Sequence, residues 1–363
     1  VSVLVLAGDL RGETFDALAR RAATAREEGR LDEASRLYRE ALRLRPRWAE
    51  GLWYLGTLAY EQDRHAECRD SFRKLVALQP KAGSAWALRG LCEARLQEYA
   101  SALAHLEKGL SLPPLESEAM ERVTLYHQAL LLARAGRFEE ALVPLGRLVR
   151  SQAERPELAD ACGLVLLRRP ALPDEVPAAE RPFLAEAGRA YCSWLARRTD
   201  EARRRFEALL ERRPAERHLH YGYGLVLAQQ GAPEAPAAFR RETELFPDHA
   251  LAHLELAFTL LQYGDPGGAL SAAETAVRLA PEVFASHLAL GRALVETGDV
   301  ARGVAELEKA AKLAPNVPET FLHLGKAYAR AGRDRDAEGA RQVFRTLDAA
   351  RRRKPGTDPA EGP

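Results

Sequence analysis

FLHLGKAYARAGRDRDAEGA, Phe321 to Ala340, is the stretch whose reading decides the fold. Phe321, Leu324, Gly325 and Tyr328 fall at i, i+3, i+4 and i+7, the spacing of one apolar helix face. Gly325 stands in the middle of that face, where glycine costs about 0.5–1 kcal/mol relative to alanine. A weak helix former on the side that should bury most surface needs a reason in packing.

The reason lies in a period. Pro46, Pro80 and Pro114 are 34 residues apart, and so are Pro247, Pro281 and Pro315. Small residues keep the same step: Ala34, Cys68 and Ala102 in one half, Ala269, Gly303 and Ala337 in the other. Gly56 and Gly90 share a phase, as do Ala257, Gly291 and Gly325. Two antiparallel helices that must approach closely need small side chains where they cross, so Gly325 is expected to face Ala337 across such a crossing. Gly29, Gly136, Gly264, Gly298 and Gly332 suit the ends of first helices. Asp265, Asp299 and Asp334 suit the N-caps of second helices.

A 34-residue step with small residues at positions 8, 20 and 27 and proline at 32 resembles the tetratricopeptide repeat. The resemblance implies an all-α, right-handed α-solenoid of about nine helix–turn–helix repeats. They frame at 15–48, 49–82, 83–116, 122–155, 183–216, 217–249, 250–283, 284–317 and 318–351, the sixth one residue short. This divides the chain into a leader (1–14), a first block of four repeats (15–152), a connection (153–182), a second block of five (183–353) and a tail (354–363). The connection reads as a degenerate half-repeat and a proline-rich loop, the tail as a disordered end.

Composition agrees. The 363 residues are 47% hydrophobic and 29% charged, with no isoleucine, one Met (Met120) and one Asn (Asn316). Scarce β-branched residues and abundant Ala, Leu, Arg and Glu favour helix over strand. A net charge of +1 gives no bulk electrostatic case for nucleic acid or an anionic membrane. The basic clusters Arg203–Arg205 and Arg351–Lys354 are isolated and read as solvated, ion-paired surface. Cys68, Cys92, Cys162 and Cys192 lack metal-ligand spacing and read as buried, reduced thiols, although Cys68 and Cys92 could approach each other. Val1 to Ala7 is too short for a signal peptide and lacks a basic leader, so the chain reads as cytoplasmic. Val5-Leu6-Ala7 before Gly8 resembles the end of a cleavage site, and export is the alternative if the true start lies upstream.

No catalytic pairing, cofactor motif or metal spacing is legible. His218 and His220 are two apart and point apart on a helix, and the GYG of Gly222 to Gly224 is no phosphate loop. Glu139 and Glu140 belong to a repeat turn. The resemblance therefore implies a non-catalytic scaffold that holds a peptide or helical segment of a protein partner in a concave groove. In the family, positions 2, 5, 9, 12 and 13 of the first helix line that groove. Here they nominate Trp53, Tyr60, Tyr126, Tyr191, Trp194, His218, Tyr221, Phe258, Arg292 and Lys326. About half of the aromatics are expected to be packing residues, because burial is where large rings usually go. The clamp of lysines and asparagines that grips a chaperone carboxylate in some members is missing: Ala19, Ala23, Tyr54, Ser84 and Leu88 stand at those places. The alternative is an adaptor subunit of a separate enzyme or of a secretion or envelope-assembly complex; a nucleic-acid-associated protein is the third reading.

Overall fold

The computed structural model describes residues 14–112, 114–152 and 155–353. The leader apart from Thr14, and the tail, lie outside the described residues. Within them the chain forms nineteen α-helices and no strand. None of these helices is long and apolar enough to cross a membrane.

Every predicted repeat frame holds two helices. They are α1 (Phe15–Glu27) with α2 (Leu31–Leu44), α3 (Ala49–Glu61) with α4 (His65–Leu78), α5 (Gly83–Arg95) with α6 (Tyr99–Leu110), and α7 (Glu118–Arg134) with α8 (Phe138–Gln152). A single helix, α9 (Pro156–Leu166), and a 3-10 turn (Pro173–Glu175) fill the connection. Five hairpins follow: α10 (Arg181–Leu195) with α11 (Thr199–Arg212), α12 (Leu219–Gln229) with α13 (Ala235–Leu245), α14 (Ala250–Gln262) with α15 (Pro266–Leu279), α16 (Phe284–Thr297) with α17 (Val300–Leu313), and α18 (Pro318–Arg330) with α19 (Asp334–Arg353).

The chain divides into two compact units, Val1–Arg181 and Pro182–Pro363. In the first, each helix from α1 to α9 packs on the next, and the first helices α5, α7 and α9 also touch in succession. Here the proline-rich connection is pinned rather than loose: Arg134 pairs with Glu175 at 2.9 Å, and Arg181 donates to the carbonyls of Val176 and Asp174 at 2.9 Å each. In the second, α11 to α19 pack consecutively, with α14, α16 and α18 in direct succession. Stacked hairpins of this kind make an α-solenoid core, each hairpin burying its apolar side against its neighbours.

Position 24 of each repeat is the centre of that core. Tyr38, Phe72, Leu106, Leu145, Phe206, Phe239, Ala273 and Leu307 occupy it on successive second helices, and none is more than 1% exposed. Burying one such phenylalanine or leucine contributes about 1.5–3 kcal/mol. The glycines at position 8 make room for these side chains. A Cβ on Gly56 would stand 2.7 Å from the Phe72 ring, on Gly90 2.9 Å from Leu106 Cγ, on Gly224 2.6 Å from the Phe239 ring, and on Gly291 2.6 Å from Leu307 Cγ.

Gly325 is the exception: it faces Ala337 across the crossing as expected, but the space there does not require a glycine. A Cβ there would meet Ala337 O and Arg341 Cγ at 3.4 Å, ordinary contact distance. The last repeat carries Arg341 at position 24 because its outer face meets water. With no bulky apolar side chain to admit, the glycine is not forced. Gly325→Ala should therefore stabilise the fold by about 0.5–1 kcal/mol. Gly291→Ala should cost about 1–2 kcal/mol by overpacking. Denaturant midpoints of the two variants, moving in opposite directions, check the pair.

The turn between the helices of a hairpin needs one residue at positive φ. Gly29, Gly136, Gly231, Gly264, Gly298 and Gly332 supply it in six hairpins. Asp63, Gln97 and Arg197 occupy the same place, and Arg168 has the same conformation after α9. Side-chain-bearing residues pay about 1–2 kcal/mol for this conformation, less the entropy glycine adds to the unfolded chain. Exposed Gln97 replaced by glycine should gain about 0.5–1 kcal/mol, read as a higher denaturation midpoint.

Caps follow the sequence in part. Asp265 accepts from the Gly268 N–H at 2.9 Å and Asp299 from the Arg302 N–H at 3.3 Å. Asp334 is not an N-cap: α19 begins at Asp334, and the Arg333 carbonyl accepts from the Ala337 N–H. The carboxylate sits in the first turn, where the helix end still favours it.

The periodic prolines have a use that spacing alone does not reveal. Position 4 of the following repeat reaches back to the proline carbonyl: Trp86 Nε1 to Pro80 at 3.0 Å, His220 Nε2 to Pro214 at 2.9 Å, His253 Nε2 to Pro247 at 3.0 Å and His287 Nε2 to Pro281 at 2.8 Å. The bond locks the inter-repeat turn.

The reading of the cysteines as reduced thiols does not hold. Cys68 and Cys92 form a disulfide with their Cα atoms 6.0 Å apart, a separation such a bond spans. No described cysteine is a free thiol. Both residues are fully buried on α4 and α5, which pack directly on each other, and that brings them together.

Candidate functional site

The nominated groove residues separate by environment. Trp53 is half-buried and meets the Phe72 ring edge-on with centroids 5.6 Å apart, so it is a packing residue of its own hairpin. Tyr60 is half-buried beside His65 at 6.1 Å. Tyr126 is half-buried, and desolvation, aided by Asp160 and Glu157, pushes its phenol up to about 12.

In the second compact unit, Tyr191 is only 4% exposed and stacks on half-buried Trp194, centroids 4.9 Å apart and planes 22° apart. Burial removes most of Tyr191 from any surface, against its nomination as a contact residue. His218 is also buried, facing Glu242 and His249 instead of solvent. Half-buried Tyr221 lies between the His249 ring at 4.8 Å and the Phe239 ring at 6.0 Å.

Phe258, Arg292 and Lys326 do come together, because position 9 of α14, α16 and α18 recurs on three first helices in direct contact. The Arg292 guanidinium lies 5.9 Å from the Phe258 ring centroid. Its Nε is buried with no hydrogen-bond partner, and desolvation pushes its pKa down against the pull of Glu296. Lys326 is exposed. Cation and ring thus make a half-desolvated surface on which an acceptor from elsewhere would find a strong donor, since charge–dipole interactions gain as local dielectric falls.

Two residues of this face were not nominated from sequence. Glu255 and His323 both stand at position 6, on α14 and α18. Desolvation pushes the Glu255 carboxyl up to about 7. It pushes the His323 imidazole down to about 4, with Arg292 and Lys326 adding repulsion. His127 occupies position 6 on α7, and desolvation lowers it too. A titratable residue recurring at position 6 was the available signal, one residue past the positions read.

The remaining candidates are engaged locally. Glu140 accepts from Arg137 at 2.5 and 2.7 Å, and Glu139 pairs with Arg168. Arg203 pairs with Glu207 at 3.0 Å and Arg205 with Glu201 at 2.6 Å, each one helical turn away. Arg351 pairs with Glu319 at 2.7 Å.

Residues 19–77, 68–116, 194–250, 254–318 and 288–355 match the tetratricopeptide repeat family. No match was found among curated proteins. Among solved structures the chain is similar to MamA (residues 41 to the end) from Desulfovibrio magneticus RS-1, at 22% identity and a TM-score of 0.42, over 46% of this chain and 94% of that one. It is also similar to MamA of AMB-1, at 18% identity and a TM-score of 0.42 over 46% and 98%, and to YrrB, a TPR protein with an unusual peptide-binding site, at 17% and 0.41 over 46% and 86%. The family match spans well over half of the residues, and the hairpins, turn glycines and position-8 contacts recur in the same register. The chain belongs to the tetratricopeptide repeat family.

Proposed function

We propose that the chain is a non-catalytic scaffold that holds an extended or helical segment of a partner protein along the first-helix face of its repeats. A protein-interaction role is what repeats of this family supply. The finer reading rests on one observation: Phe258, Arg292 and Lys326 line up on adjoining first helices, with the Arg292 guanidinium 5.9 Å from the Phe258 ring centroid. A partner's carbonyl or carboxylate would pair with the cations of this face, where partial desolvation strengthens the contact. The face is already built by stacked hairpins, so binding orders a partner without ordering the scaffold.

Phe258 and Arg292 rank ahead of Trp53 and Tyr191 as affinity residues, since the latter two are tied into the fold. Tyr126, Trp194 and Tyr221 come next, with part of each ring reachable. The test is a partner co-purified from the native host and then titrated, in purified form, against the full chain. Phe258→Ala with Arg292→Ala should weaken binding about tenfold or more with the helical signal retained. Undiminished binding would move the contact elsewhere, as an adaptor docking by another surface requires.

A further inference from the structure

We propose that His218, Glu242 and His249 form a binding site for one divalent transition-metal ion of the zinc type. The three residues come from separate elements of the second compact unit: His218 is the N-cap of α12, Glu242 lies in α13, and His249 is the N-cap of α14. Their exposures are 5%, 0% and 5%. Each offers one ligand atom, and these atoms lie within 4.8 Å of one another. A tetrahedral ion about 2.0–2.1 Å from each ligand needs ligand atoms about 3.3 Å apart. Glu242 Oε1 already stands 3.0 Å from His249 Nδ1 and 3.7 Å from His218 Nδ1. Small rotations of the rings close the remainder.

A structural role for Glu242 accounts for only part of this. Its carboxylate accepts from the backbone N–H of His218 at 2.8 Å and of Tyr221 at 3.3 Å, capping α12. That explains one buried carboxylate. It does not explain two imidazoles packed edge-to-face beside it with centroids 4.5 Å apart. Nor does it explain His249 Nε2, buried without a hydrogen-bond partner. At His249 Nδ1 the ion takes the place of the hydrogen bond to Glu242 Oε1.

The backbone is bent to make the cluster. His218 adopts φ 70°, and it is the one described side-chain-bearing residue with positive φ that begins a helix instead of following one. The opposing effect is electrostatic. Two helix N-termini point here, each carrying roughly half a positive charge. The whole negative charge of Glu242 offsets about that sum, leaving the two dative nitrogens to decide the balance for a metal. A bound ion would staple the starts of α12 and α14 to α13, joining the short repeat 217–249 to the next.

The experiment uses the untagged full chain, stripped with chelator, and Co2+ or Zn2+ alone. The expected result is one Co2+ per chain with the visible spectrum of a tetrahedral N/O site, displaced by one Zn2+. His218→Ala and His249→Ala should each weaken Zn2+ binding by about 100-fold. His220→Ala should leave it unchanged, since that ring is bonded to Pro214 O. Circular dichroism reports whether the variants fold; if they do not, X-ray absorption of the wild-type Zn2+ complex must show two imidazoles. Absence of stoichiometric binding, binding that survives in the folded double-histidine variant, or a Zn2+ shell without imidazole would each overturn the proposal.

Discussion

Glu242→Ala is expected to destabilise the second compact unit by about 3–5 kcal/mol, because it leaves several enclosed hydrogen-bond donors unpaired at about 1–3 kcal/mol each. The carboxylate is 0% exposed and serves three donors: the His218 N–H, the Tyr221 N–H and His249 Nδ1. Alanine leaves the start of α12 uncapped and a ring nitrogen unpaired, with no water to replace the lost acceptor. Glu242→Gln should cost less, about 1–3 kcal/mol, because the amide oxygen still accepts from one backbone N–H. Denaturant unfolding of the full chain, followed by helical signal, measures both. In a repeat array the loss also uncouples neighbouring hairpins, so the transition should broaden as well as shift. A change under 1 kcal/mol for the alanine variant would mean the cluster is wetter than its burial indicates.

The second large effect is a pair of opposed pH dependences on the first-helix face. The Glu255 carboxyl holds its proton up to about 7 in the fold and releases it near 4.5 when unfolded. Between those values the native state binds more protons, so Glu255 lowers stability as pH rises through the window. The full drop is roughly 3 kcal/mol. His323 does the reverse: folded near 4 and unfolded near 6.5, it loses stability as pH falls through 6.5 toward 4. From about 4.5 to 6.5 the two slopes cancel, and the wild-type profile should be nearly flat there. Glu255→Gln should expose a rise from pH 4 to 6.5 and leave the protein more stable at pH 8. His323→Gln should expose a steady fall from pH 5 to 7. Two variants with slopes of the same sign would show that these groups are solvated.

Much of this was legible in residues alone. The 34-residue step placed every described hairpin, because packing two helices at fixed intervals demands small residues at fixed intervals. Gly264, Gly298 and Gly332 marked real turns, since positive φ is a local property. Gly325 was misread because its need depended on position 24 of the partner helix, where Arg341 replaces the usual bulky side chain. Trp53, Tyr191 and His218 fit the groove pattern yet face inward, as position in a repeat says nothing of how a neighbour covers it.

What the chain determined by itself is the repeat: the period, the hairpin, the turn and the buried ring, all encoded within about 34 residues of one another. What only the tertiary structure decided is which side chains lose their water. Glu255, Arg292 and His323 sit about one repeat apart, and Glu242 meets His218 and His249 across three elements. Desolvation and ligand geometry depend on atoms a few ångströms away in space, and no spacing along the sequence contains that distance.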